Sequence, residues 1–214
     1  MITISAFENV PDFAKGQVRD LRPRWALEEA GLPYRTRLLR RGDQDQPDYR
    51  AMQPFGQVPV FEENGLVLFE SGAIVLHIAE RSETLLPRDP AARARTVQWV
   101  FAALNSVEFA LMNLAAIDLF YKDEEWAKLR RPGAEKFARQ RLEALSRSLG
   151  DKHCLDSDTF TAGDLVMASV LRIAGHTDLV TSDPRLGPYL LRCTARPAFQ
   201  RAHDAQMRDF KQAG

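Results

Sequence analysis

The chain has 214 residues, 29 Lys+Arg against 29 Asp+Glu, and hydrophobic and charged fractions of 45% and 27%. That composition excludes intrinsic disorder, and the balanced charge removes the electrostatic footprint of a nucleic-acid binder. A chain of this length buries roughly 70% of its unfolded surface and needs no disulfide staples, and two cysteines, Cys154 and Cys193, make no framework of them. The N-terminus, Met-Ile-Thr-Ile-Ser, has neither a basic n-region nor an apolar h-region. The longest apolar stretch, Phe101 to Phe120, carries Glu108, Asn113 and Asp118, which a bilayer disfavours. The expectation is a cytoplasmic globular protein with no membrane or nucleic-acid partner.

In chain order, residues 1–7 are β-branched and partly alternating, which predicts a first strand. After a polar stretch holding Pro11 and Gly16, Asp20 stands as a cap and Pro23 in a first turn. Trp25, Ala26, Leu27 and Ala30 follow at helical spacing up to Gly31. Residues 34–39 alternate and predict a second strand, and a short helix is expected around 48–52. Two short strands, 58–61 and 66–69, flank an Asn64-Gly65 hairpin signal. Glu70-Ser71-Gly72 then opens a helix. Residues 82–90, with Pro87 and Pro90, read as a linker. Beyond it the patterns at 91–120, 124–149, 164–175, 184–193 and 197–210 are helical. The domains are therefore 1–81, small and α/β, and 91–214, all-helical.

Three constellations stand out. Pro59 cannot donate to a sheet ladder, so Gln57-Val58-Pro59-Val60 suits an edge strand with a trans proline. Composition alone favours that trans reading; the alternative is a cis Val58–Pro59 bond, the rarer form, which turns the Val58 backbone outward as an edge for an extended peptide. Ser71 can cap the helix it opens. A free helix N-terminus beside the Glu70 carboxylate also grips an amino-acid headgroup, Glu70 taking the ammonium and Ser71 with the helix amides taking the carboxylate. Thr161 and Asp164 have capping-box spacing, with Phe160 and Leu165 as a staple, and are assigned to folding.

Residues 24–34, Pro54-Phe55-Gly56-Gln57-Val58-Pro59-Val60, and Glu70-Ser71-Gly72-Ala73-Ile74 follow one another in an order that resembles the glutathione S-transferase family, and the likeness extends into the helical half. It implies a thioredoxin-like N-terminal domain, an all-α C-terminal domain and a homodimer. By the same resemblance glutathione is the co-substrate: Val58, beside a cis Pro59, pairs with its cysteinyl part, Glu70 and Ser71 hold the γ-glutamyl group, and Gln57 lies near the glycyl end.

The chain departs from the family where a Tyr, Ser or Cys usually activates the thiol: Gln17 or Val18 occupies that position, with neither hydroxyl nor thiol. Helix-start amides around Val18, aided by Arg19, are the remaining means of holding a thiolate, although Arg19 also reads as a solvated loop charge. Asn105 and Glu108, one turn apart on the long apolar helix, are candidates for the cleft of a small apolar electrophile. The four histidines show no metal spacing with the cysteines, so no metal is expected. The expected activity is conjugation of glutathione to an electrophile. The alternatives are a binding or regulatory protein of the same fold and a glutathione-dependent isomerase or peroxidase.

Overall fold

The computed structural model describes residues 1–212, and the chain divides into two compact units, one built from Met1–Leu86 with the segment from Arg196 onward, the other from Pro87–Ala195. The first unit has a four-stranded sheet in the order β2-β1-β3-β4. Strand β1 (Ile2–Phe7) pairs in parallel with β2 (Tyr34–Leu39), from Ile2 opposite Tyr34 to Phe7 opposite Leu39. The crossover between them carries helix α1 (Leu21–Ala30). Strand β3 (Phe61–Glu63) runs antiparallel to β1 and turns at Asn64-Gly65, both at positive φ, into β4 (Leu66–Leu68). Helix α2 (Pro47–Met52) follows β2, and α3 (Ser71–Ala79) follows β4. Ile4, Trp25, Leu27, Phe61 and Ile74, all completely buried, come from strands and helices alike and make the core. This is the thioredoxin-like mixed sheet that the sequence implied.

The sequence had placed a strand over 58–61, but β3 begins only at Phe61. Ser5 N–H donates to the Val60 carbonyl at 2.9 Å, as in a ladder, while Val60 N–H goes to the Ser5 hydroxyl at 2.7 Å. A side chain has taken over the ladder's next hydrogen bond, so regular pairing stops there.

The second unit is helical. Asp89 accepts from Ala92 N–H and caps α4 (Pro90–Phe101). The helix continues through a π-helical stretch (Ala102–Glu108), α5 (Phe109–Ala115) and a second π-helical stretch (Ala116–Phe120), making 31 residues in all. It is long and apolar enough to cross a membrane by length and composition, and half of its most apolar window is buried inside the protein. Helices α6 (Glu125–Leu149), α7 (Ala162–Leu171) and α8 (Leu186–Thr194) complete the unit, with every residue of α7 buried.

The sequence grouped everything from 91 onward into one helical domain. The structure instead gives the last helix, α9 (Pro197–Gln212), to the first unit, where it packs on α1; the final two residues of the expected domain lie outside those described. The reason lies in the side chains of α1. Trp25 meets Phe199 edge-on with ring centroids 4.8 Å apart. Arg24, 1% exposed, bonds Asp209 at 2.6 Å, and Arg196 and Arg201 pair with Glu29 and Glu28. Asp20 does not cap α1 as expected. Its buried carboxylate accepts from Arg24 Nε at 2.8 Å and Gln206 Nε2 at 2.8 Å, and the helix has no side-chain cap. Burial pushes the Asp20 carboxyl up from its usual range, against the opposing pull of Arg24 and Gln206.

Candidate functional site

The segment Gln57–Val60 reaches β3 through a cis Val58–Pro59 peptide. Val58, Pro59 and Val60 are buried and Gln57 is exposed. Among the described residues neither the N–H nor the C=O of Val58 has a hydrogen-bond partner. A donor and an acceptor on one residue, unpaired next to a sheet, are the elements of strand addition.

The second element begins where β4 ends. The register Phe61 opposite Leu68 brings the residues before Phe61 and those after Leu68 to the same end of the hairpin, and the rings of Phe55 and Phe69 meet there edge-on at 6.2 Å. Glu70 is exposed and lies at φ 68°, ψ 112°, a left-handed conformation that L residues other than glycine rarely adopt. It occupies the N-cap position of α3, and among the described residues no side chain caps the helix.

The expectation that Ser71 is the cap is therefore corrected. Ser71 is the first helical residue, and its hydroxyl accepts from Arg22 Nη1 at 3.1 Å. The turn at Glu70 moves the cap position one residue back and leaves the amides of the first turn without a side-chain acceptor. The result is a helix start with a partial positive charge, a buried arginine and an exposed carboxylate around one point. Arg22, 3% exposed, is the functional candidate that sequence reading missed. Its sequence signal is faint: a charged residue at a position where helical periodicity demands burial.

Of the residues assigned to thiol activation, Val18 and Arg19 are half-buried in the turn before α1. Their carbonyls accept from Leu21 N–H and Arg22 N–H, the first bonds leading into the helix. Val18 N–H has no partner among the described residues. Ser5 is occupied elsewhere, its buried hydroxyl engaged by Val60 and Tyr49. The two cysteines are free and buried in the helical unit, and burial, followed by the Asp164 carboxylate, pushes the Cys193 thiol up. Asn105 and Glu108 are not brought together: Asn105 is exposed and Glu108 buried. They lie in the π-helical stretch, whose i→i+5 bonding removes the i, i+3 alignment an α-helix would have given them.

Thr161 and Asp164 behave as folding residues. The Asp164 carboxylate accepts from Leu155 N–H, Thr161 N–H, Thr161 Oγ1 and Tyr189 Oη at 2.8–3.0 Å, and the box closes through the Thr161 side chain. Among the described residues no group of three His, Cys, Asp or Glu is placed to hold a metal ion.

Comparison with known proteins gives a family and a fold. The family model "Glutathione S-transferase, N-terminal domain" matches residues 13–80. A glutathione S-transferase of Hyoscyamus muticus is 28% identical over 77% of this chain and 82% of its own length. Maleylacetoacetate isomerase of Pseudomonas aeruginosa is 30% identical over 88% of this chain and 92% of its own. Among solved structures, a glutathione transferase of Burkholderia graminis, with two glutathione molecules bound per subunit, superimposes with a TM-score of 0.83 at 24% identity, covering 95% of this chain and 88% of that one.

Proposed function

The chain belongs to the glutathione S-transferase family, and from that premise we propose that it binds glutathione on its thioredoxin-like unit, raises the thiolate fraction and delivers the sulfur to a small electrophile. The observation that carries this reading is the pairing, at one end of the β3–β4 hairpin, of a Val58 backbone and a helix start that have, among the described residues, no hydrogen-bond partner and no side-chain cap respectively. The backbone of Val58 matches the cysteinyl amide and carbonyl of an extended tripeptide. Ser71, supported by Arg22, and the first amides of α3 match the γ-glutamyl carboxylate, and Glu70 matches its ammonium. Gln57, exposed, is assigned to the glycyl end.

Activation of the thiol is assigned to the amide of Val18 with Arg19 beside it, since neither Gln17 nor Val18 offers a hydroxyl. A positive neighbour in a partly exposed site shifts a thiol by on the order of one pKa unit. Arg19→Ala raises the pKa of bound glutathione accordingly and slows turnover near neutral pH, while Arg19→Lys keeps part of the effect. The proposed working form is a cytoplasmic homodimer. Asn105, the exposed member of the pair on the long helix, is retained as the candidate on the electrophile side.

A second reading, a glutathione-dependent isomerase, is favoured by the likeness to maleylacetoacetate isomerase over most of both chains. Calorimetric titration with glutathione comes first. Titration of the ultraviolet thiolate band against pH follows for the wild type and both Arg19 variants, then a panel of electrophiles and of cis-enone substrates. Conjugation consumes one glutathione per turnover, whereas isomerisation returns it. A folded protein that takes up no glutathione overturns both readings, and identical thiolate titrations remove Arg19.

A further inference from the structure

The residues around Gln57–Val60 form a closed chain of hydrogen bonds that the reaction itself does not call for. Tyr49 of α2, 1% exposed, places its hydroxyl 2.8 Å from the Gln57 carbonyl and 2.8 Å from Ser5 Oγ. Ser5 of β1, also 1% exposed, receives Val60 N–H on the same oxygen at 2.7 Å and sends its own N–H to the Val60 carbonyl at 2.9 Å. The direction of every proton follows. A carbonyl can only accept, so the single Tyr49 proton goes to Gln57. Tyr49 must then accept from the Ser5 hydroxyl, which leaves Ser5 Oγ free to accept from Val60 N–H. The relay runs Val60 N–H to Ser5 O–H to Tyr49 O–H to Gln57 C=O, with each group satisfied in one arrangement. Burial pushes the Tyr49 phenol above its usual range, so it stays a neutral donor at physiological pH. Bonds aligned head to tail in a buried site reinforce one another.

Both ends of the relay land on the four residues that contain Val58, one on the peptide group before it and one beyond Pro59. The relay therefore fixes the orientation of the Val58 N–H and C=O without touching them.

We propose that Ser5 and Tyr49 are positioning residues for the tripeptide ligand, holding the Val58 backbone in register for strand addition through the carbonyl of Gln57 and the amide of Val60. This rests on the reading that Val58 pairs with glutathione. Preorganisation of this kind lowers the ordering cost of binding and is felt in affinity. Tyr49→Phe preserves the ring and deletes only the relay oxygen, and Ser5→Ala deletes the neighbouring link.

The test is calorimetric titration of wild type, Tyr49→Phe, Ser5→Ala and the double variant with glutathione, alongside Ser71→Ala and the Tyr49→Phe/Ser71→Ala pair, with a thermal melt of each. The expected result is a dissociation constant raised about fivefold to tenfold in Tyr49→Phe, measured well below its melting transition. The Ser5 and Tyr49 effects should combine less than additively, because they break one relay. The Tyr49 and Ser71 effects should add, because they serve different parts of the ligand, its cysteinyl backbone and its γ-glutamyl carboxylate. With an active electrophile, KM for glutathione rises while kcat at saturating glutathione holds. A Tyr49→Phe protein that melts earlier but binds glutathione as the wild type does overturns the proposal and leaves the glutathione reading intact. The same result in Ser5→Ala decides the matter if Tyr49→Phe does not fold. A folded wild type that binds no glutathione overturns both.

Discussion

Helices α3 and α7 begin in opposite ways. At the start of α7 side chains close the turn: Thr161 and Asp164 form a capping box, and the Asp164 carboxylate also holds Leu155 and Tyr189. Gly163 sits so close to α4 that a Cβ there would stand 2.7 Å from the Cβ of Trp99. At the start of α3 no side chain among the described residues caps the helix, Glu70 points a carboxylate at solvent from a left-handed backbone, and the Ser71 hydroxyl accepts from a cation, Arg22. Unmet helix amides cost free energy unless water or a ligand meets them. A sealed start spends its polar groups on stability, whereas an open start holds them for something that arrives later.

The largest expected break in that contrast is Asp164→Ala. It strands Leu155 N–H, Thr161 N–H and the Tyr189 hydroxyl in the interior, a loss of about 3–5 kcal/mol in urea unfolding, with Thr161→Ala nearer to about 1 kcal/mol. Losses below a few tenths of a kcal/mol in both would show that the box is incidental. Ser71→Ala should do the reverse. Because Ser71 is not a cap, the fold loses little, while glutathione affinity falls by about 1–3 kcal/mol as the carboxylate loses its hydroxyl and Arg22 loses its contact with Ser71. A variant that is destabilised yet binds as before would make α3 a second sealed helix.

The smallest effect concerns the hairpin that carries Glu70. The Glu63 carboxyl, bonded to Arg81, lies below its usual range, first through that hydrogen bond and then through the guanidinium's charge. A folded pKa depressed in this way contributes stability that is present above the unfolded value near 4.5 and lost as pH falls through the folded value. The pair is partly exposed, so the amount is under about 1 kcal/mol. Glu63→Gln should melt slightly below the wild type at pH 7 and level with it near pH 3. A gap that widens in acid would reverse the sign assigned to the pair.

How legible each part was in the sequence follows from the range of the forces involved. The Asn64-Gly65 hairpin, β2 and the capping box at Thr161 depend on residues a few positions apart, and all three stand where the patterns put them. Glu70 and Ser71 were recognisable by type and order, but their roles at the helix start were exchanged, since the positive φ of Glu70 belongs to the turn it completes. Asp20 misled because a short polar residue before a helix has a second use, as a buried acceptor for Arg24 and Gln206, the latter 186 positions away. Asn105 and Glu108 were spaced for an α-helix and lie in a π-helical stretch.

The sequence by itself determined the element types, the mixed α/β then α order, the family likeness and the residue types able to hold an amino-acid headgroup, because these rest on periodicity, turn chemistry and short-range caps. Only the tertiary structure decided that the last helix packs on α1, that Arg22 meets Ser71, and that Ser5 and Tyr49 close a relay on the residues flanking Val58 and Pro59. Each of these depends on at least one contact between groups tens to hundreds of positions apart. A hydrogen bond of that kind exists only once the packing of apolar residues has set its distance to a few tenths of an ångström, and no local pattern carries that distance.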